Sequence, residues 1–247
     1  MKMNSIVKVL KNTAFLPLFP ISYTWEKIYQ IRRFAYKTEI IKSHEFEVPV
    51  ISIGNLTFGG TGKTPFTMWI SRFFNDLDKK VVILTRGYKG KLEHKSGIIR
   101  SSNKFGHNPF EYGDEPLLMA RRLDKTSIIV GKRRADNLKY YFNKERPDIV
   151  LLDDGHQHLK IKRSLNIVLF DCLIPMKSYK VAPLGYMREG MGALADADVI
   201  IMGRSDQVPT KKVDLLKEEL KKYSSKDCIF AKIGYRPTGL YLSLIHI

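Results

Sequence analysis

Cysteine and acidic residues are scarce in this sequence of 247 residues. Cys172 and Cys228 are the two cysteines, and both lie in apolar stretches. A disulfide framework is therefore not expected, and a reducing compartment fits. Asp and Glu number 25 against 42 Lys and Arg, which gives a net charge of +17. This charge favours an anionic partner: a nucleotide, a phosphorylated substrate, a phospholipid surface or a nucleic acid.

Long hydrophobic runs are also missing. No stretch reaches the roughly 18 apolar residues that span a bilayer, and no apolar segment ends in the small residues of a signal-peptide cleavage site. The N-terminal part, however, places Lys and Arg beside Phe, Leu and Trp, with a second helical pattern around Trp25 and Ile28. We expect residues 1–45 to form amphipathic helices in a membrane interface. The alternative is a helix pair packed on the protein's own core.

From residue 48 onward, short apolar runs alternate with helical patterns, which predicts an α/β fold with a mainly parallel sheet and flanking helices. The predicted strands are residues 48–53, 81–85, 127–130, 149–152, 165–170 and 199–202. Residues 89–109 are polar and predict a long loop or an excursion from the sheet. We expect residues 46–205 to form one domain and residues 206–247 to be a linker and the start of a second, mostly missing α/β domain. The apolar run 228–233 would then have no sheet to join.

A glycine-rich segment between the first strand and the following helical pattern is the most informative motif. Residues 52–65 read SIGNLTFGGTGKTP. A strand, a glycine loop, Lys-Thr and a helix form the architecture of a phosphate-binding loop, as in P-loop nucleoside triphosphatases. Backbone N–H groups and the helix N-terminus would bind phosphate oxygens, Lys63 would reach the β- and γ-phosphates, and Thr64 would hold Mg²⁺. The predicted nucleotide-binding residues are Thr57, Phe58, Gly59, Gly60, Thr61, Gly62, Lys63 and Thr64.

This loop departs from the strict pattern in one place, since Thr57 stands where a glycine is usual. The alternative interpretation is a glycine-rich turn followed by a chance Lys-Thr.

Two acidic residues, Asp153 and Asp154, follow the apolar run 149–152. An apolar strand that ends in Asp is typical of the second phosphate-site motif, whose Asp helps to hold Mg²⁺. The alternative is a solvated turn. Together with His156 and His158, the pair could also ligate zinc.

A second acidic pair, Asp114 and Glu115, precedes a helical pattern. It is either a helix N-terminus that favours acids or a general base with a Mg²⁺ ligand, and the spacing does not choose between these. The basic run 132–134 is interpreted as a solvated face. Arg188 and Glu189 could form a plain surface ion pair.

Five stretches, in this order, resemble the tetraacyldisaccharide 4'-kinase family, the lipid A 4'-kinases of Gram-negative bacteria. They are residues 48–65, 85–88 (TRGY), 113–116 (GDEP), 153–158 (DDGHQH) and 183–189 (PLGYMRE), within roughly residues 15–205. The resemblance implies ATP- and Mg²⁺-dependent phosphorylation of the 4'-hydroxyl of a tetraacylated glucosamine disaccharide 1-phosphate, which gives lipid IVA. It also implies a second α/β domain and a peripheral enzyme on the cytoplasmic face of the inner membrane.

The same resemblance implies roles for single residues. Lys63 and Thr64 serve the ATP phosphates and Mg²⁺, and Asp114 is the base for the sugar hydroxyl. The residues implied to contact the metal are Glu115, Asp153 and Asp154. The residues implied to contact the substrate are Arg86, Tyr88, His158 and Arg188.

The end of the chain departs from the family. A family Asp-His motif has no match here, since His246 lacks the family context, and whether residues 243–247 are native sequence stays open. His156 stands where members usually have an apolar residue, and its role stays open.

Two other functions compete with this hypothesis. One is a P-loop ATPase of the partitioning or iron-protein class, but such proteins normally have Lys where Phe58 stands. The other is a nucleic-acid-binding protein, which the charge alone suggests and for which no recognisable module is present. We therefore expect no nucleic-acid partner.

Overall fold

A computed structural model of the protein describes residues 18–103 and 105–234. Its strands are β1 (Val50–Gly54), β2 (Val81–Thr85), β3 (Gly97–Ile99), β4 (Thr126–Val130), β5 (Ile149–Asp153), β6 (Leu165–Asp171), β7 (Val199–Gly203) and β8 (Ile229–Ile233). Its helices are α1 (Leu18–Lys37), α2 (Lys63–Asp76), α3 (Pro109–Tyr112), α4 (Asp114–Arg122), α5 (Arg134–Glu145) and α6 (Thr210–Lys221).

All eight strands belong to one sheet, in the order β3-β4-β2-β5-β1-β6-β7-β8. Every neighbouring pair is parallel except β3 with β4. Strands β1, β2, β4 and β5 are buried along their whole length, which explains why they appear in the sequence as continuous Val, Ile and Leu runs. The predicted α/β fold and its six strands are confirmed.

Helices cover both faces of the sheet. Helices α2 and α4 pack on one face through residues such as Phe66 and Met119. Helices α5 and α6 pack on the opposite face through Leu138 and Leu216. Since the strands are parallel, their carboxyl ends share one edge, and Ile53 at the end of β1 lies opposite Asp153 at the end of β5. That edge brings the glycine loop and the Asp153-Asp154 pair together.

Two predictions about the margins of the sheet are wrong. Residues 89–109 are not only a loop, because they contain β3, which pairs antiparallel with β4. Three residues within a polar stretch are too few to show a strand pattern. Residues 228–233 do have a sheet to join, because β8 pairs in parallel with β7. The division at residue 205 stays a prediction.

Helix α1 contacts the protein through polar groups, and its exposed residues include large apolar side chains as well as Thr24, Lys27 and Gln30. Its only buried residue is Ser22, whose hydroxyl donates to the Val181 carbonyl at 2.8 Å. Ser22, Glu26 and Arg33 recur at spacings that share one helical face. The exposed large apolar side chains are Phe19, Ile21, Tyr23, Trp25, Ile28, Ile31 and Phe34. Within residues 18–103 and 105–234, no helix has the length and apolar character to cross a bilayer. The part of the predicted amphipathic segment before residue 18 lies outside the described residues.

Candidate active site

The glycine loop connects β1 to α2. Side-chain hydrogen bonds stabilise its base, and its tip is exposed. The side chain of Asn55 is buried, and its Nδ2 donates to Thr57 Oγ1 at 3.2 Å and to Thr61 Oγ1 at 3.0 Å. Gly62, directly before α2, has a φ of 84°, which a residue with a side chain adopts only with strain. At Gly59 and Gly60 an added Cβ would meet no described atom within 4 Å. The backbone at the tip is therefore open to a ligand at the N-terminus of a helix, where anions bind.

The segment 183–189 lies alongside this loop. The Phe58 N–H donates to the Tyr186 carbonyl and the Arg188 N–H donates to the Leu56 carbonyl, each at 2.7 Å. The Arg188 guanidinium lies over the Phe58 ring, 5.5 Å from its centroid. Two of the five stretches that carry the family resemblance are therefore in direct contact.

The Asp154 carboxylate connects Lys63 to Arg188. Its Oδ1 lies 3.5 Å from Lys63 Nζ, and its Oδ2 accepts from Arg188 Nη1 at 2.7 Å. Arg134 Nη1 donates to the Asp154 carbonyl at 2.9 Å. Burial alone would raise the pKa of Asp154, but Lys63, Arg188 and Arg134 together hold it below its ordinary value. The Asp154 carboxylate is thus charged at neutral pH and is engaged by the lysine that phosphates would otherwise contact.

Asp153 differs from its neighbour because it is almost fully buried, with 3% of its surface exposed. The hydroxyls of Thr67 and Thr85 donate to its two carboxylate oxygens at 3.1 and 3.4 Å. Burial raises its pKa to about 6; Arg134 opposes this rise, and the charges of Asp154 and Glu115 add to it. The charges of Asp154 and Glu115 therefore disfavour ionisation of Asp153, and a cation nearby would offset this repulsion.

The start of α4, which carries Asp114, lies close to the loop 86–88. Asp114 and Glu115 are the first two residues of that helix, and both are exposed. Gly113, with a φ of 86°, is so close to the loop 86–88 that an added Cβ would lie 3.0 Å from the Tyr88 carbonyl oxygen. Tyr88 therefore lies close to Gly113, the residue before Asp114. Glu115 is near enough to Asp153 to affect its pKa.

The remaining predicted substrate residues have different surroundings. Arg86 Nε donates to Glu93 Oε1 at 2.6 Å, and the Tyr88 ring is exposed with Lys89 Nζ 5.6 Å from its centroid. His158 is half-buried; burial, followed by the charge of Arg134, lowers its pKa to about 3. His158 is therefore neutral at physiological pH and could bind a hydroxyl but not a phosphate as an ion pair.

Arg134 is a site residue that the sequence interpretation missed. The basic run 132–134 was expected to be a solvated face, and this is wrong for Arg134, which is 6% exposed and donates to Asp154. Helix α5 begins at Arg134, so its side chain turns towards β5 while Lys132 and Arg133 stay exposed. Thr67, which holds Asp153, could have been found from the sequence, since it lies four residues after Lys63 and shares its helical face.

His156 is fully buried and lies among polar partners. Its Nδ1 is within hydrogen-bond distance of the Asn166 amide, at 3.1 Å from Nδ2, and its Nε2 is 3.9 Å from Glu189 Oε1. Burial first, and then the charges of Arg33 and Arg163, lower its pKa well below the ordinary value. The surface ion pair considered for Arg188 and Glu189 is wrong, because Glu189 is 1% exposed and pairs with Arg33.

The zinc alternative finds no support in this geometry, since no three His, Cys, Asp or Glu side chains in the described part of the chain converge as metal ligands. Mg²⁺ has different requirements, because it takes one or two carboxylates together with phosphate oxygens and water. Asp153 and Asp154, at the carboxyl end of β5, could supply such carboxylates.

Comparisons with known proteins identify relatives. The family model described as tetraacyldisaccharide-1-P 4'-kinase matches residues 14–232. The tetraacyldisaccharide 4'-kinase of Desulfotalea psychrophila is 34% identical over 234 residues, which cover 94% of this chain and 66% of that protein. The enzyme of the same name from Geobacter metallireducens is 37% identical over 175 residues, covering 71% and 52%. The chain thus spans between about half and two thirds of the length of these curated relatives.

A solved structure is also similar. The crystal structure of LpxK from Aquifex aeolicus in complex with ATP aligns with a TM-score of 0.68 and 27% identity. The alignment covers 89% of this chain and 81% of that one.

Proposed function

The chain belongs to the tetraacyldisaccharide-1-P 4'-kinase family, and on that premise we propose that the whole protein transfers the γ-phosphoryl group of ATP to the 4'-hydroxyl of a tetraacylated glucosamine disaccharide 1-phosphate. The product would be lipid IVA, in lipid A biosynthesis. The observation that carries the proposal is the contact of Lys63 with Asp154, next to Asp153, whose pKa is raised in part by the charge of Glu115 at the start of helix α4.

The ATP phosphates bind at the tip of the glycine loop, residues Thr57 to Thr64. Backbone N–H groups and the N-terminus of α2 contact the phosphate oxygens. Lys63 moves from Asp154 to the β- and γ-phosphates and stabilises the charge that develops on the transferred group. Thr64, Glu115, Asp153 and Asp154 would hold Mg²⁺, which would neutralise further phosphate charge.

The acceptor sugar binds on the side of α4. Asp114 takes the proton from the 4'-hydroxyl as general base. Its exposure at the start of the helix leaves it reachable by a substrate. We assign the contacts with the disaccharide or its phosphate to Arg86, Tyr88, His158 and Arg188.

The lipid chains of the acceptor require a membrane surface, and we assign the contact to helix α1. Its exposed residues Ile21, Ile28, Ile31 and Phe34 give an apolar surface without a described protein partner that buries it. Apolar burial and attraction of basic residues to anionic lipid together drive interfacial binding. The proposed location is the cytoplasmic face of the inner membrane, as a peripheral protein.

The family match supports the kinase over a partitioning-class ATPase, and Phe58 in place of Lys agrees with it. Transfer of labelled γ-phosphate from ATP to the disaccharide is the decisive assay, run on a form of the protein with the full length of its relatives. Lys63→Ala should lower the transfer rate by about 10²-fold or more, and the exposed Lys79→Ala should not. ATP hydrolysis stimulated by a protein partner or by DNA, without transfer to the lipid, would reject the kinase.

A further inference from the structure

Glu189 forms a two-point contact with Arg33 of helix α1. Its carboxylate is 1% exposed and accepts from Arg33 Nε at 2.7 Å and from Arg33 Nη2 at 2.8 Å. Arg33 also donates from Nη1 to Asp196 Oδ2 at 2.5 Å and from Nη2 to the His156 carbonyl at 3.4 Å. A two-point Arg–carboxylate contact defines orientation as well as distance. The segment that carries Glu189 therefore follows any movement of α1.

The residue before Glu189 reaches the phosphate site. The Arg188 carbonyl accepts from Trp25 Nε1 of α1 at 2.9 Å, while the Arg188 side chain donates to Asp154 at 2.7 Å and covers Phe58 of the glycine loop. Asp154 in turn lies 3.5 Å from Lys63 Nζ. A continuous set of polar contacts thus runs from α1 through Glu189, Arg188 and Asp154 to Lys63.

The same helix carries the exposed apolar side chains described above. Ser22 and Trp25 contact the segment 181–189, whereas Ile28, Ile31 and Phe34 are exposed. A lipid surface that reorients α1 would therefore act on the Arg33–Glu189 pair.

We propose that Arg33 is a positioning residue that, through Glu189, sets Arg188 against Asp154 and so couples the seating of helix α1 to the phosphate-binding site. The effect of this coupling on turnover rests on the proposed function. The contacts that join Arg33 to Asp154 do not depend on that function. Helix α1 is accordingly part of the active site and not a detachable anchor.

Hydrogen exchange measured by mass spectrometry tests the coupling without any activity. Arg33→Gln should accelerate amide exchange by about tenfold in residues 54–62 and 183–189. Lys27→Gln removes the same charge from an exposed position of α1 and should leave both segments unchanged. Faster exchange confined to α1 would overturn the proposal, because the helix would then not be coupled to the two segments. Faster exchange spread equally over all strands would also overturn it, because it would indicate a general loss of stability.

Turnover gives a second test that separates positioning from stability. In a form with the full length of its relatives, Arg33→Gln should lower kcat by about tenfold or more, and Arg33→Lys should restore part of it. In an Arg188→Lys background, Arg33→Gln should have little further effect, because the two residues act through one contact. Fully multiplicative effects would overturn the coupling. Absence of phosphoryl transfer by the unsubstituted protein would reject the proposed function instead, and the exchange experiment would still decide the coupling.

Discussion

At the scale of single residues, Asp153 and Asp154 are adjacent carboxylates in opposite environments. Asp154 is surrounded by Lys63, Arg188 and Arg134, whereas Asp153 is buried between two threonine hydroxyls. One acid therefore stays charged and the other has a pKa of about 6. In a phosphoryl-transfer site, such a difference leaves the buried carboxyl poised to respond to a bound cation.

Asp153→Asn should stabilise the nucleotide-free protein at neutral pH. The folded pKa of Asp153 lies above its ordinary value, so ionising this carboxyl at neutral pH costs more free energy in the native state than in the unfolded chain. The contribution of protonated Asp153 to the free energy of unfolding is thus fully present below about pH 4, and it is lost as the pH rises through about 6. The gain at pH 7 should be about 2–3 kcal/mol, measured by urea unfolding, and should vanish below about pH 4. Equal stability of the two proteins at pH 7 would show that Asp153 is not destabilised by burial; Asp76→Asn, at an exposed position, is the control.

Asp114→Asn should lower kcat by about 10²–10⁴ and leave the KM for ATP nearly unchanged, since an amide cannot accept the hydroxyl proton. Steady-state kinetics of the full-length form measure both. The neighbouring exposed Glu111→Gln is a matched control. An unchanged kcat would reduce Asp114 to an acid that favours a helix N-terminus, and a large loss of ATP affinity would make it a metal ligand.

Among the elements, α1 differs from an ordinary surface helix, because its one buried residue is Ser22 and several of its large apolar side chains are exposed. Ile28 and Ile31 are 56% and 66% exposed. Their replacement by Ser should reduce binding to phospholipid vesicles by at least about tenfold, since each Ile contributes several buried methylenes at about 0.8 kcal/mol each. Co-sedimentation measures the bound fraction. The exposed Tyr140→Ser on α5 should bind as the unsubstituted protein does.

Unchanged vesicle binding by the Ile28→Ser, Ile31→Ser protein would mean that α1 is not the lipid contact. These two substitutions test the contact more cleanly than removal of residues 1–35, because that truncation would also leave the buried Glu189 without Arg33.

The elements also show which structural features the sequence could predict. The central strands were evident because each is an apolar run bounded by polar turns, and the glycine loop was evident because its residue types are adjacent. The edge strands β3 and β8 were misjudged, since β3 is three residues long and the partner of β8 depends on topology. The Arg33–Glu189 pair joins residues 156 apart, and no local pattern marks such a contact. Arg134 was missed for the same reason.

For the whole molecule, the charge of +17 should make membrane binding depend on both salt and lipid charge. Binding to vesicles with anionic lipid should fall by more than about tenfold between about 0.05 M and about 0.5 M salt, because screening shortens the reach of surface charges. Binding to neutral vesicles, which rests on apolar contact, should change little. Equal salt dependence on both kinds of vesicle would exclude an electrostatic contribution from the protein's net charge.

The strand order has a kinetic effect on how the protein folds. Strand β1, which leads into the glycine loop, pairs only with β5 and β6, so Val50 meets Val150 a hundred residues later. During synthesis the loop therefore has no neighbouring strand until β5 has left the ribosome, and pairing of such distant segments is slow. The nascent glycine loop and the apolar β1 remain open to aggregation throughout that interval.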